Sequence, residues 1–457
     1  MMRKILISVV AVLALTAPIA KAETLADALI AAYRNSNLLD QNRAVLRAAD
    51  EDVAIAVSDL RPVIAFAAQS AYARAEFLTP VGNRSVNEGL NSSINLTADI
   101  TLLDFGRNKL AVEVAKESVL ATREALIGVE QSVLLAAVQA YVDVRLAQEI
   151  VGLRESNFRL ITQELRASKD RFEVGEITKT DVSIAEARLA SSRASLAAAQ
   201  GDLMVARESY KAATGAYPGR LAGLPAAPKT ARTMEDAQAV AQRTHPAIRQ
   251  AQHEVTIAEL NSARAKAAMK PNITARAILS VDNDGLDSET LGINLNQTLY
   301  AGGKLSALYR KSLASRDSSR AGLHQTSVQV AQNVGNAWSR LLVSAASIDA
   351  SSRQITASQE AFDGVREEAN LGARTTLDVL DAEQELLDAR AARLQAEAGR
   401  YTGVYVLLSA MGLLTVDHLN LGIPTFDPAA YYNAVKSAPA TSAQGRRLDK
   451  ILEKIGN

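Results

Sequence analysis

The sequence predicts an α+β membrane protein made of two copies of one unit, in which a β-hairpin lies between long helices. Three observations lead to this prediction. Motifs recur at a fixed separation along the chain, short segments alternate apolar and polar residues, and long proline-free stretches carry heptads of apolar residues. The repeat indicates one tandem duplication, because a solenoid would repeat every 20 to 50 residues or so.

The composition excludes several functional classes. The 457 residues include 50 basic and 50 acidic side chains and no cysteine. A disulfide scaffold and a thiolate metal site are therefore excluded, and a net charge of zero without a basic block argues against a nucleic-acid partner. No metal site or other cofactor is expected, since the histidines lack convergent ligand spacing. They are His245, His253, His324 and His418.

The N-terminus predicts a signal peptide over residues 1–22. Arg3 and Lys4 precede an apolar run at residues 5–17, and Ala20-Lys21-Ala22 forms a small-x-small cleavage site. The apolar run is shorter than the roughly 20 residues that a spanning helix needs, so an uncleaved anchor is disfavoured. No later stretch is expected to be a transmembrane helix, and exported chains without one enter the outer membrane as β-barrels.

The duplication sets the domain organisation. The motif TLLDFGR begins at residue 101 and its counterpart TLYAGGK at residue 298, while GEITKTDV begins at 175 and GARTTLDV at 372, so both pairs are 197 residues apart. We expect a first structural repeat at residues 23–223 and a second at 224–421. A proline-containing C-terminal tail, residues 422–457, is expected to wrap around the molecule or to stay mobile.

Each repeat contains one predicted hairpin, at about residues 62–103 and 271–301. Residues 94–102 alternate strictly between apolar and polar side chains, as a strand with one lipid-facing and one wet face requires. Turn-rich loops are expected at residues 79–89 and 282–289. Strands of about ten residues fit a tilted outer-membrane wall.

The remaining sequence predicts long coiled-coil helices. Residues 106–172 and 304–369 contain no proline, so each stretch could form one helix approaching 100 Å at about 1.5 Å per residue. Two hairpins supply four strands, which are too few to close a barrel, and an open edge in lipid leaves backbone groups unpaired. Three copies would give about twelve strands and an open interior.

The motifs at these junctions carry a family resemblance. TLLDFGR, TLYAGGK, RFEVGEITKTDV and NLGARTTLDVLDAE resemble the corresponding segments of the TolC family of outer-membrane efflux proteins, over roughly residues 24–415. The resemblance implies a homotrimer in the outer membrane, with a 12-stranded β-barrel continued by an α-helical tunnel in the periplasm. It implies a periplasmic adaptor (a membrane fusion protein) and an inner-membrane pump as partners.

The function that the resemblance implies is export, not enzymatic catalysis. The cargo would be small toxic compounds such as drugs, dyes and detergents, or proteins, as in type I secretion. Two alternatives stay open on the residues alone. A periplasmic coiled-coil adaptor without a pore is disfavoured by the alternating strands, and a single-chain porin by the presence of only two hairpins.

A pair of carboxylates is the first candidate site. Asp378 and Asp381 are three residues apart and therefore share a helix face. The resemblance matches them to aspartates that ring the narrow periplasmic mouth. In a trimer they would form a ring of six carboxylates, whose repulsion should raise some pKa values and attract cations. The alternative is a solvated first-turn pair favoured by the helix dipole.

A latch beside this pair is the second candidate site. The resemblance assigns it to Arg374, Thr180 and Asp181, because a guanidinium fork suits carboxylate pairing. A tyrosine that assists the closed state in well-known members is Ala369 here, which predicts a weaker or different latch. The alternative is an ordinary exposed salt bridge.

The helix-to-helix turns are the third candidate site, because they resemble the turns that the family presents to the adaptor. They are Val174, Gly175 and Glu176 in the first repeat, and Leu371, Gly372 and Ala373 in the second. Glycine permits a backbone conformation that bulkier residues cannot adopt. Any tight turn between helices has the same need, so the glycines alone do not specify docking.

Overall fold

The computed structural model describes residues 22–80, 82–283, 285 and 287–437, with Arg447 and Lys450. Apart from Ala22, the predicted signal peptide lies outside the described residues, as does most of the chain after residue 437. The helices are α1 (Leu25–Asn35), α2 (Asn37–Ser58), α3 (Arg107–Glu173), α4 (Lys179–Thr214), α5 (Met234–Thr244), α6 (Pro246–Ala267), α7 (Lys304–Asn370), α8 (Thr376–Ala410) and α9 (Pro428–Val435).

Both predicted hairpins are present and join into one antiparallel sheet. The strands are β1 (Val63–Leu78), β2 (Arg84–Leu103), β3 (Asn272–Asp282) and β4 (Asp287–Asn296), and they lie side by side in this order. Pairing of β2 with β3 connects the hairpin of the first repeat to that of the second. Strands β1 and β4 form the edges, which need further strands if the sheet is to lie in lipid.

The pairing register gives the sheet one apolar and one polar face. Phe66 lies opposite Leu96, and Leu96 lies opposite Leu279, so that one face carries large apolar side chains across three strands. On the other face, Asp99 lies opposite Arg276. Phe66 is 69% exposed in the single chain, as expected for a side chain that contacts lipid rather than protein.

The hairpin loops are shorter than the sequence suggested. The first loop was expected at residues 79–89, but β2 begins at Arg84, and Arg74 of β1 lies 3.6 Å from Glu88. These two side chains stabilise the pairing of β1 with β2 beyond the expected end of the hairpin, because cross-strand pairs of opposite charge are favourable. The second loop is also shorter than 282–289, and the second hairpin ends at Asn296 instead of about residue 301.

The two long helices α3 and α7 confirm the proline-free prediction, with 67 residues each. Among the described residues, α3 is also the one helix that is long and apolar enough to cross a membrane. The expectation that no such stretch follows the signal peptide was therefore wrong as to composition. The apolar residues of α3 include Leu134, Val138 and Tyr141, which are fully buried in the chain. A buried core helix can have the same length and apolar composition, so these two properties are weak support for a transmembrane helix.

The chain forms two compact units, and each contains parts of both repeats. The first comprises Met1–Asp40, Ile127–His245 and Gln329–Thr425. In it, the Tyr141 hydroxyl donates to the backbone oxygens of Glu23 and Ala222, at 3.0 and 2.8 Å. These bonds fix the described start of the chain.

The second unit comprises Gln41–Leu126, Pro246–Val328 and Phe426–Asn457. It contains the sheet and a hydrophobic cluster on Leu46, Val53 and Val119.

Helix α9 from the C-terminal tail packs in this unit. Tyr431 donates a hydrogen bond to Glu51 at 2.6 Å, the Arg123 guanidinium stacks over Tyr432, and the Arg61 guanidinium donates to the backbone oxygen of Ser437. The described part of the tail is thus a packed helix.

Candidate functional site at the helix-to-helix turns

The first turn, which follows α3, closes with backbone hydrogen bonds. The amide of Glu176 donates to the Arg171 carbonyl at 2.9 Å, and the amide of Gly175 donates to the Phe172 carbonyl at 3.0 Å. Gly175 has a φ of +80°, a left-handed conformation that favours glycine. Arg171 also binds the Glu176 carboxylate at 3.1 Å.

The second turn repeats this geometry. The amide of Ala373 donates to the Glu368 carbonyl at 2.8 Å, and Gly372 has a φ of +78°. The residue before each glycine is apolar and largely in solvent, Val174 at 72% and Leu371 at 79% exposed. The two tips therefore present the same arrangement, an apolar side chain beside a rigid glycine turn.

A capping box follows each turn and begins the next helix. At the start of α8, the Thr375 hydroxyl donates to the Asp378 carboxylate at 2.8 Å, and the Asp378 amide donates to that hydroxyl oxygen at 3.2 Å. Thr178 and Asp181 make the same two contacts at the start of α4. Asp378 and Asp181 thus each complete the capping box of the helix that they begin. The T-x-x-D spacing was a readable signal for both threonines.

These caps shift the pKa values of both aspartates. Hydrogen bonds from the Thr375 amide and hydroxyl, with a smaller effect of Arg374, lower the pKa of Asp378. Hydrogen bonds from Thr178 lower the pKa of Asp181 in the same way. Both carboxylates are therefore ionised at neutral pH in the single chain.

Asp381 has a different environment, because it forms an ion pair with Arg188. Arg188 lies on α4 of the first repeat and Asp381 on α8 of the second. Both side chains are partly exposed, so the pair itself contributes little to stability. Its effect on charge is larger, since Arg188 offsets one of the two carboxylates proposed to line the mouth. Arg188 was not among the predicted site residues, because its position in an Ala-rich helix carries no signal in the sequence.

The predicted latch residues are not joined to each other within one chain. The Nε atom of Arg374 contacts Glu368 at 2.8 Å, and this hydrogen bond raises the pKa of Arg374. Thr180 is exposed near the start of α4, beside Asp181. A latch among Arg374, Thr180 and Asp181 is thus an expectation about neighbouring subunits.

Ala369, which the sequence resemblance matches to a family tyrosine, is buried beside the start of α8. It belongs to a hydrophobic cluster with Phe362, Val379 and Leu386. A methyl group here packs against α8 but offers no hydroxyl to a latch.

One further pair connects the repeats in this region. Asn157 of α3 donates to the Glu383 carboxylate of α8 at 2.7 Å, and the two residues are only 7% and 6% exposed. Burial raises the pKa of Glu383 to about 7. The sequence contained a signal for Glu383, which lies between Leu380 and Leu387 at a heptad position that normally carries an apolar residue.

The described residues contain no group of three or more His, Asp or Glu side chains that could hold a metal ion. The site consists instead of two rigid turns, two capped helix starts and polar contacts between repeats. Together with a four-stranded sheet that has one apolar face and two unpaired edges, these features define the class: a subunit of an outer-membrane channel that closes by association with other copies.

The chain belongs to the outer membrane efflux protein family, the family of TolC, whose sequence pattern matches residues 28–216 and 239–413. Over 429 residues it is 35% identical to the outer membrane efflux protein BepC of Brucella suis, covering 92% of each chain. It is 25% identical over 407 residues to the proteases secretion protein PrtF of Dickeya chrysanthemi, covering 85% of this chain and 88% of PrtF. The crystal structure of VceC from Vibrio cholerae superposes with a TM-score of 0.74 at 19% identity, covering 85% of this chain and 96% of that one.

These similarities establish the architecture. The protein is an outer-membrane channel-tunnel subunit with the trimeric TolC-like fold, and its helical part lies in the periplasm. Related channels work with periplasmic adaptors and inner-membrane pumps. The family consists of channels rather than enzymes, and the non-pore adaptor alternative is not supported.

Proposed function

We propose that the trimer is the exit duct of a tripartite efflux assembly and that it passes small toxic compounds such as drugs, dyes and detergents. The observation that carries the proposal is the similarity to BepC, an outer membrane efflux protein, along nearly the whole chain.

A deletion strain tests the cargo. Loss of this chain should raise sensitivity to dyes, bile salts and hydrophobic antibiotics, and the plasmid-borne chain should restore resistance. Unchanged sensitivity together with loss of a secreted protein would contradict the proposal. That result would favour protein export, the role that the name of PrtF gives to that relative.

We propose further that the two tips dock the periplasmic adaptor. Val174 and Leu371 support this assignment, because each is an apolar side chain left in solvent at equivalent positions of the two repeats. A trimer would present six such side chains. Photo-crosslinkers at Glu176 and Ala373 should capture the adaptor in cells, whereas one at Arg353, exposed on α7, should not. Absence of capture at both tips would refute the docking assignment.

We propose, third, that Asp378 and Asp381 form the carboxylate ring of the periplasmic mouth, and that Arg374, Thr180 and Asp181 form a latch between neighbouring subunits. The position of these residues beside rigid turns supports the proposal, because small movements of capped helix starts would change the aperture. The ion pair with Arg188 offsets the charge of Asp381, whereas Asp378 accepts hydrogen bonds from Thr375 and keeps its charge.

A further inference from the structure

A buried polar contact lies close to the proposed mouth. The Asn157 amide donates to Oε1 of Glu383, while Oε2 of Glu383 is buried without a hydrogen-bond partner. Glu383 follows Asp381 by two positions on α8. Asn157 lies on α3, so the contact ties a helix of the first repeat to the helix that carries both mouth carboxylates.

Charged groups on α3, α7 and α8 lie around Glu383. Burial, the largest effect, raises the pKa of Glu383, and the hydrogen bond from Asn157 lowers it. Glu164 of α3 raises this pKa and Arg366 of α7 lowers it, and each of these effects is smaller than that of burial. A cavity of about 280 Å³ beside the contact is also lined by Asp363 of α7 and Arg390 of α8. No cation is aimed closely enough to pair with Glu383, since the described side chain bonds Asn157 only.

We propose that Glu383, buried beside Asn157 with one carboxyl oxygen unpaired, is a proton-sensitive positioning element. While it is protonated it holds the start of α8 against α3 in the closed mouth, and this packing loosens when it ionises, because a charged carboxylate draws in water. The inference rests on the proposed gate at Asp378 and Asp381. It adds to that gate a regulator that is buried within a single chain.

The direction of the effect follows from the pKa. Burial raises the pKa of Glu383 from 4.5 to about 7. The packed state therefore retains a proton that a solvated carboxyl would release. The proton therefore stabilises the packed state fully below about pH 4.5, and this stabilisation is lost as the pH rises through 7. Acidification closes the mouth and mild alkali loosens it. For each subunit, one pH unit inside this window changes the closed-to-open ratio by at most about tenfold.

The duplication supplies a matched control. The first-repeat counterpart of Glu383, 197 residues earlier, is Glu186, which is exposed and pairs with Lys169 at 2.9 Å. A buried carboxylate at this place is therefore a feature of the second repeat alone. Glu186→Gln removes the same charge from the equivalent helix position without affecting the buried contact.

Single-channel conductance of the full-length trimer in planar bilayers, measured from pH 5 to pH 8.5, tests the proposal. The wild type and Glu186→Gln should show a stepwise loss of conductance as the pH falls below about 7. Glu383→Gln keeps an acceptor for Asn157 and cannot ionise, so this step should vanish and the mouth should stay in its low-pH state. A profile of Glu383→Gln that coincides with that of the wild type would overturn the proposal.

A second variant guards against a folding defect. Asn157→Asp puts another carboxyl against Glu383, and two carboxyls that share a site raise one pKa. The step should move to higher pH, and an unmoved step contradicts the proposal. Block by a multivalent cation, measured on the same channels, reports on Asp378 and Asp381 separately. If Glu383→Gln lost the cation block but kept the pH step, the proposal would be contradicted and the effect would belong to the carboxylate ring alone.

Discussion

Arg188 and Asp381 form an ion pair between the two repeats, on the helices that start at the two tips. Removing the arginine leaves the Asp381 charge without compensation and should strengthen cation binding at the mouth. Arg188→Ala should lower the concentration of hexamminecobalt(III) that half-blocks the channel by roughly twofold to fivefold, in line with about 1 kcal/mol or less for an exposed pair. Arg188→Lys, which keeps the charge, is the control. Equal block in all three channels would contradict the assigned role.

The ring itself predicts a stronger effect. Asp378→Asn combined with Asp381→Asn removes every carboxylate of the proposed mouth, so block by multivalent cations from the periplasmic side should disappear. Asp388→Asn, a change on the exposed side of the same helix, should leave the block intact. The measurement is single-channel current against cation concentration, and persistent block in the double variant would refute the assignment.

The latch predicts a gain of conductance. Arg374→Ala or Asp181→Ala should raise single-channel conductance, because the neighbouring subunits lose a contact that keeps the mouth narrow. Glu368→Gln is the discriminating control, since it removes the partner that Arg374 has within its own chain. If Glu368→Gln has the same effect, the contact within the chain is responsible. Unchanged conductance in both Arg374→Ala and Asp181→Ala would rule out the latch.

The tip geometry predicts a local cost of substitution. Gly372→Ala forces an L-residue into the left-handed region, at about 1 to 2 kcal/mol. Faster amide hydrogen exchange at residues 368–376 and less adaptor crosslinking should follow. Gly364→Ala lies inside α7, where a methyl group meets no atom within 4 Å, and should not speed exchange. Unaltered exchange in Gly372→Ala would show that the tip tolerates another conformation.

The polar face of the sheet predicts a charge-swap rescue. Arg276 of β3 lies directly opposite Asp99 of β2, with Nε 2.5 Å from the carboxylate. Arg276→Asp places like charges opposite each other at the seam between the hairpins, and the temperature at which the trimer resists SDS should fall by several degrees. Adding Asp99→Arg should restore most of it. Failure of the restoration would mean that the arginine acts through another contact.

Much of the architecture could be predicted from local signals. Alternation in residues 94–102 and the two proline-free stretches identified the sheet and the long helices because these patterns follow from strand and helix geometry. The loop estimates failed at residues 84–89. Residues 84–89 have the polar composition of a turn, but they continue strand β2. The outer end of this strand lies beyond the lipid and therefore needs no apolar face.

The candidate site was less predictable, because its key contacts join residues far apart in sequence. Asn157 and Glu383 are separated by 226 positions, and no local pattern reports such a pairing. The charged residue at a heptad position was the one available signal. The capping boxes, by contrast, are local, and the role of Asp378 in one of them was readable from the sequence.

The unequal hairpins have a consequence at the cell surface. Strands β1 and β2 have 16 and 20 residues, but β3 and β4 only 11 and 10. Because β3 pairs with β2 only as far as Ser93, the distal part of the first hairpin extends past the second. Around the barrel of the trimer, the longer hairpin of the first repeat alternates with the shorter hairpin of the second. Three first-repeat hairpins therefore project furthest from the outer rim. An antibody or a phage that approaches the cell would contact these three hairpins first. The turn between Leu78 and Arg84 is therefore the natural place to insert an epitope tag.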